Sequence, residues 1–164
     1  MTAKVFVDTS AFYALASETD AAHRTAQGIH ESLKREAAVL TTTSYILLES
    51  ISLLQRRHGV AAAERFGEWV SPHVDIVWVT QQDHQASWEY WKRYRSRGLS
   101  FVDCSSFVVM ESLGVRRAFA FDRQFTSAGF ALVEPPPEEL VAEPAGSSRG
   151  VRRAVTKRRG SPQS

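Results

Sequence analysis

Apolar residues fall into short runs separated by longer amphipathic stretches. Residues 4–7 (KVFV) make a short, mostly apolar run that predicts a strand, and 39–41, 75–79, 118–121 and 130–133 repeat the pattern. Between them the spacing turns helical. A helix capped by Thr9 or Ser10 carries Ala11, Phe12, Leu15 and Ala16. Asp20 is a good N-cap for a second helix to about residue 36, and Ser44 for a long one stopped by Gly59. Further helices are predicted over 60–70, over 81–95 with Trp88 and Trp91, and from a capping Asp103 through Phe107, Val108, Met110 and Leu113 to Gly114. Strands alternating with helices predict an α/β fold, a parallel sheet flanked by helices in a single domain.

Two of the strands end alike: VFV runs into Asp8 and AFAF into Asp122. In an open parallel sheet, groups just past the strand ends converge on one edge, where ligands bind. Each aspartate could also cap the next helix. Glu49 is more unusual, because its helical neighbours Tyr45, Ile46, Ser52 and Leu53 set it on a largely apolar stripe. An unpaired buried carboxylate costs several kcal/mol or shifts its pKa. Arg56, seven residues on, is poorly placed to pair with it; either a cation compensates it or it sits at the stripe's edge and reaches water. Asp103 opens its helix and can turn an outer oxygen toward the same crevice. Carboxylates ~4 Å apart repel by about 4 kcal/mol at an effective dielectric of 20, and a divalent cation converts that penalty into binding. All-oxygen sites suit magnesium or manganese, ions that polarise a phosphoryl oxygen and lower the pKa of a bound water.

Composition narrows the chemistry further. The chain has 164 residues, the size of one domain, and 43% of them are hydrophobic, enough for a core. Its single cysteine, Cys104, excludes an internal disulfide and any zinc site with more than one thiolate. The five histidines lack compact zinc spacing, and there is no phosphate-binding GxxxxGK[ST] loop, GxGxxG fingerprint or GxSxG elbow. No uncharged apolar run reaches the roughly 18 residues of a membrane span, and MTAKVFVDTS is no secretory signal. A cytoplasmic protein with no membrane partner is expected.

The net charge of +2 hides a split. Arg149, Arg152, Arg153, Lys157, Arg158 and Arg159 leave 14 basic against 18 acidic side chains in 1–144. Pro135, Pro136 and Pro137 can continue neither a helix nor a central strand. These features predict a folded domain over 1–134 and a flexible, disordered Pro/Arg-rich basic tail over 135–164. That tail is either a solvated terminus or an electrostatic contact with nucleic acid or an acidic partner.

The strand ending in VDTSAFYAL, the mid-helix glutamate of SYILLES, the segment LSFVDCSSFVVM and the late AFAFDRQF together resemble PIN domains. The short length and the ETDAAHRTA segment resemble the VapC-type toxins of toxin–antitoxin pairs. The likeness spans about residues 4–133. It implies a PIN-like sheet and a Mg2+- or Mn2+-dependent endoribonuclease acting as a toxin. By position, Asp8, Glu49, Asp103 and Asp122 become the catalytic acids, with Asp8 and Asp103 on the metal and Asp122 acting through water. Thr9 or Ser10 matches a hydroxyl supporting the first aspartate. The likeness also implies an RNA substrate, a cognate antitoxin and a homodimer. The tail after Pro135 departs from the usual compact toxin.

Residues 87–97 mix aromatics with Lys92, Arg93, Arg95 and Arg97. The basic side chains suit an RNA-facing rim, and Arg93, Arg95 and Arg123 are the candidate RNA-binding residues. Trp88 and Trp91 read as an ordinary core-facing stripe, and His84 and Met110 as packing residues. Two other functions remain open. One is a non-catalytic PIN-like module that binds RNA or protein. The other is an aspartate-based phosphatase or phosphotransfer domain, which usually wants a second aspartate where this chain has Ser10.

Overall fold

The computed structural model describes residues 3–137; the six basic side chains of the predicted tail lie outside them. Five strands, β1 (Lys4–Val7), β2 (Val39–Thr43), β3 (Asp75–Val77), β4 (Arg117–Phe119) and β5 (Ala131–Leu132), form one sheet in the order β3-β2-β1-β4-β5. Every pairing is parallel, as the alternation of elements predicts. The chain winds outward from β1 through β2 to β3, then returns to the other side of β1 for β4 and β5. The winding therefore reverses between β1 and β4, and a crevice opens there at the carboxyl ends of the strands. Asp8 follows β1 directly, and its N–H donates to the Phe119 carbonyl at 3.0 Å.

The connections are α1 (Thr9–Ala16), α2 (His23–Arg35), α3 (Ser44–His58), α4 (Val60–His73), α5 (Gln81–Tyr94), α6 (Phe101–Ser112) and the short α7 (Gln124–Ser127), with a 3-10 turn at Arg95–Arg97. Four of the seven helices, α1, α3, α5 and α6, begin where a side-chain oxygen takes up a free N–H group. Asp8 caps α1, and Thr43 caps α3 by accepting from the Ile46 N–H at 3.2 Å. Thr80 with Asp83, and Ser100 with Asp103, form reciprocal capping boxes at α5 and α6. Gly59 separates α3 from α4 at φ 86°, a conformation that side chains with a Cβ disfavour.

Several boundaries differ from expectation. Ser100, not Asp103, caps α6; Asp103 is the third helical residue and closes the box from inside. Asp8 rather than Thr9 or Ser10 caps α1, and Thr43 rather than Ser44 caps α3. Asp20 accepts from the Ala22 N–H in a turn, and α2 starts later, at His23. β3, β4 and β5 are shorter than their apolar runs, although beyond β5 the Val133 N–H still donates to the Ala118 carbonyl at 2.9 Å.

The core is built from both layers. Phe6 and Phe119 of the sheet meet Phe12, Ile29, Leu33, Ile46, Phe107, Met110 and Phe125, all essentially inaccessible. Phe107 packs edge-on to Phe125 with ring centroids 5.1 Å apart. A separate cavity of about 930 Å³ lies between α1, α2 and α4, with Phe12, Leu15, Phe66 and Trp69 among its lining and Pro136 at its edge. None of the four candidate carboxylates reaches it.

Candidate active site

Asp8 stands at the carboxyl end of β1, beside the strand-order reversal, and does two jobs. Its backbone is extended (φ −90°, ψ 162°), so one carboxylate oxygen, Oδ2, faces back to accept from the Ser10 N–H at 3.0 Å. The Ser10 hydroxyl donates to the same oxygen at 2.5 Å. In turn the Phe121 N–H donates to the Ser10 hydroxyl at 3.0 Å. Ser10 thus ties the end of β1 to the exit of β4. Among the described residues, Oδ1 accepts no hydrogen bond. The side chain is only 6% exposed. Burial pushes the Asp8 carboxyl up from 3.8 to about 6; the Ser10 hydrogen bonds oppose that rise, and the nearby Asp103 carboxylate adds to it.

Asp103 reaches this neighbourhood from α6. Its Oδ2 accepts from the Ser100 N–H at 2.9 Å. The capping box therefore fixes its rotamer while leaving the second oxygen uncommitted. It also helps, after burial, to raise the neighbouring Cys104 thiol to about 11, so that thiol stays protonated.

Of the two readings of Glu49, the structure takes the one at the stripe's edge rather than the buried one. Glu49 is exposed, and its Oε2 accepts from the Thr9 hydroxyl at 2.5 Å. The partner that sequence spacing could not supply comes from α1, forty residues away. Asp122 is half-buried past β4, and its Oδ1 accepts from the Gln124 N–H at 2.9 Å. Thr9 and Ser10 therefore bracket Asp8, one linked to Glu49 and the other to the β4 exit.

The structure brings Asp8 and Asp103 within electrostatic reach and links Glu49 to the same strand end through the Thr9 hydroxyl, while Asp122 follows Phe121, whose N–H donates to the Ser10 hydroxyl. It does not gather all four carboxylates into one tight cluster. Among the described residues, no three Asp, Glu, His or Cys side chains lie close enough to hold an ion between them. Each of the outer pair is held by a local partner, Glu49 by the Thr9 hydroxyl and Asp122 by the Gln124 N–H. An Asp8–Asp103 pair still fits a hard divalent cation, which commonly takes one or two carboxylates and retains waters. The buried, repelled Asp8 carboxylate is the observation that favours such an ion.

Arg93, Arg95 and Arg123 are exposed, and among the described residues none forms an ion pair. Lys92 is engaged with Glu89 at 2.9 Å, and the Arg97 guanidinium sits 4.7 Å over the Tyr94 ring. Met110 is buried, as expected of a packing residue, but His84 is exposed, and its Nδ1 pairs with the Tyr45 hydroxyl at 2.8 Å. Trp88 is 43% exposed rather than core-facing. On α5 it is Tyr90 that packs against the core, edge-on to Phe107 with centroids 6.2 Å apart, and the periodicity of the segment does not distinguish that face from the one carrying Trp88.

Residues 5–131 match the PIN domain family. The chain is 39% identical over 136 residues to the 23S rRNA-specific endonuclease VapC20 of Mycobacterium tuberculosis, covering 80% of this chain and 98% of that protein. The crystal structure of Mycobacterium tuberculosis VapC20, described as a Sarcin-Ricin loop cleaving toxin, superposes with a TM-score of 0.72 at 38% identity, over 80% of this chain and 99% of that one. DNA-bound VapBC from Salmonella typhimurium shares the fold, with a TM-score of 0.61 at 12% identity over 80% and 97% of the two chains.

Proposed function

The chain belongs to the PIN domain family, and on that premise we propose that it is an endoribonuclease toxin that hydrolyses RNA phosphodiester bonds with a divalent metal ion. The observation that carries the reading is the buried Asp8 carboxylate at the strand-order reversal, facing Asp103 and raised to about 6. A buried acid that repels a second acid is poised for a cation. Its relative's activity on 23S rRNA makes that RNA the first substrate to test.

Asp8 and Asp103 would hold the ion, magnesium or manganese. When bound, such an ion supplies Lewis acidity toward a phosphoryl oxygen. Ser10 fixes the Asp8 carboxylate through Oδ2, leaving Oδ1 to reach the ion. Thr9 steers Glu49 toward the same edge, where its exposed carboxylate can orient or accept a proton from an attacking water. Asp122 contributes through water from the β4 side. Arg93, Arg95 and Arg123 would neutralise flanking phosphates.

A cognate antitoxin as partner and a homodimeric state belong to the same proposal. Among the described residues, no helix is long and apolar enough to cross a membrane. The test is cleavage of 23S rRNA by purified protein with manganese or magnesium. Asp8→Asn and Asp103→Asn are each expected to lower the rate at least a hundredfold with the fold intact. Undiminished cleavage by either variant would defeat the assignment.

A further inference from the structure

Tyr45, His84, Trp88 and Phe101 come from three helices and meet on the surface. The Tyr45 hydroxyl and His84 Nδ1 are 2.8 Å apart. His84 packs edge-on to Phe101 with centroids 5.2 Å apart, and Trp88 does the same at 6.0 Å. Trp91 backs Trp88 at 5.3 Å. His84 and Trp88 are exposed, and Tyr45 and Phe101 are half-buried. Core packing does not account for the group, since α5 buries only Ser87.

Its position is informative. Tyr45 precedes Glu49 by four residues on α3, so the two share a helix face. Phe101 precedes Asp103 by two residues at the start of α6. The aromatic group is thus anchored to the same two helices that supply two of the candidate acids. Toward its C-terminus, α5 carries Lys92 and Arg93, and Arg95 follows in the next turn.

We propose that Tyr45, His84, Trp88 and Phe101 form a stacking platform for unpaired RNA bases beside the carboxylates. Every base has a π-face, so aromatic rings hold single-stranded or splayed nucleotides with little sequence demand. Trp88 supplies the exposed ring face. Tyr45 is a positioning residue that fixes the His84 ring through its hydroxyl. Arg93 and Arg95 would take phosphates leaving the platform. This rests on the ribonuclease reading only for the identity of the strand being held.

The test measures binding and cleavage separately on the full chain. With EDTA present, a labelled ten-nucleotide single-stranded RNA and an abasic ribose-phosphate strand of equal length are titrated by anisotropy. Wild type is expected to prefer the base-bearing strand. Trp88→Ala should lose that preference and weaken its binding between about 5- and 150-fold, while Trp88→Phe should restore it and Trp88→Leu should not. On 23S rRNA with manganese, Trp88→Ala should raise KM and leave kcat unchanged. Equal binding of the two strands by wild type, or unaltered RNA binding by Trp88→Ala, overturns the platform and leaves the patch to a protein contact. Trp88-dependent RNA binding without any cleavage supports the platform while the nuclease reading fails.

Discussion

Replacing Asp8 with asparagine should make the metal-free protein more stable while it removes activity. In the unfolded chain this carboxyl titrates near 3.8, and in the folded chain near 6. Two units correspond to about 3 kcal/mol at ~1.4 kcal/mol per unit. Because the folded pKa is the higher one, the folded state binds the proton more tightly between the two values. Stability from this group is therefore complete below about pH 4 and lost as pH rises through 6. Asparagine never ionises, so it escapes that loss. It can also keep the local bonds, since the Ser10 N–H and hydroxyl both donate to one oxygen, Oδ2, which an amide carbonyl can replace. The difference in unfolding free energy between variant and wild type should grow from about 0.5 kcal/mol at pH 4 to about 3 kcal/mol at pH 7.5. At roughly 3–4 °C per kcal/mol for a domain of this size, Tm should rise by about 10 °C at neutral pH. The assay is urea unfolding with a chelator present, repeated at four pH values. His30, whose pKa burial lowers, contributes equally to both proteins and cancels in the difference. Parallel stability curves, or a variant less stable at pH 7.5, would refute the claim that burial strains this carboxylate.

The same carboxylate predicts that magnesium or manganese raises the melting temperature of wild type and leaves that of Asp8→Asn unmoved, as differential scanning fluorimetry would show. Metal affinity should fall roughly tenfold per pH unit below about 6, because the ion displaces a proton, and calorimetric titration at pH 5 and 7.5 checks this. Ser10→Ala removes the bridge from Asp8 to the Phe121 N–H and should cost about 1–3 kcal/mol in chemical unfolding, while raising the Asp8 pKa further. Phe107→Ala, at the centre of the core, should cost about 3–5 kcal/mol and serves as a destabilised control that keeps the site residues.

Local chemistry made much of this protein legible from its sequence. The apolar runs and helical spacings determined the alternation of strands and helices, and with it a parallel sheet. Aspartates placed directly after two such runs marked the carboxyl edge, because a strand end fixes where the next residue points. The motif likeness named four acids together, which is a property of residue order. Only the tertiary structure decided what each acid touches. Glu49 looked buried because helical spacing registers its own helix and cannot register Thr9 arriving from α1. Asp103 looked like a cap because Ser100 and Asp103 are both good capping residues, and the three-dimensional box chose between them. Trp88 and His84 looked like packing for the same reason: periodicity shows that a face exists, but the neighbouring elements determine whether that face meets a core or water. Through-space contacts between segments tens of residues apart thus set burial, and burial sets the Asp8 pKa on which the proposed metal chemistry depends.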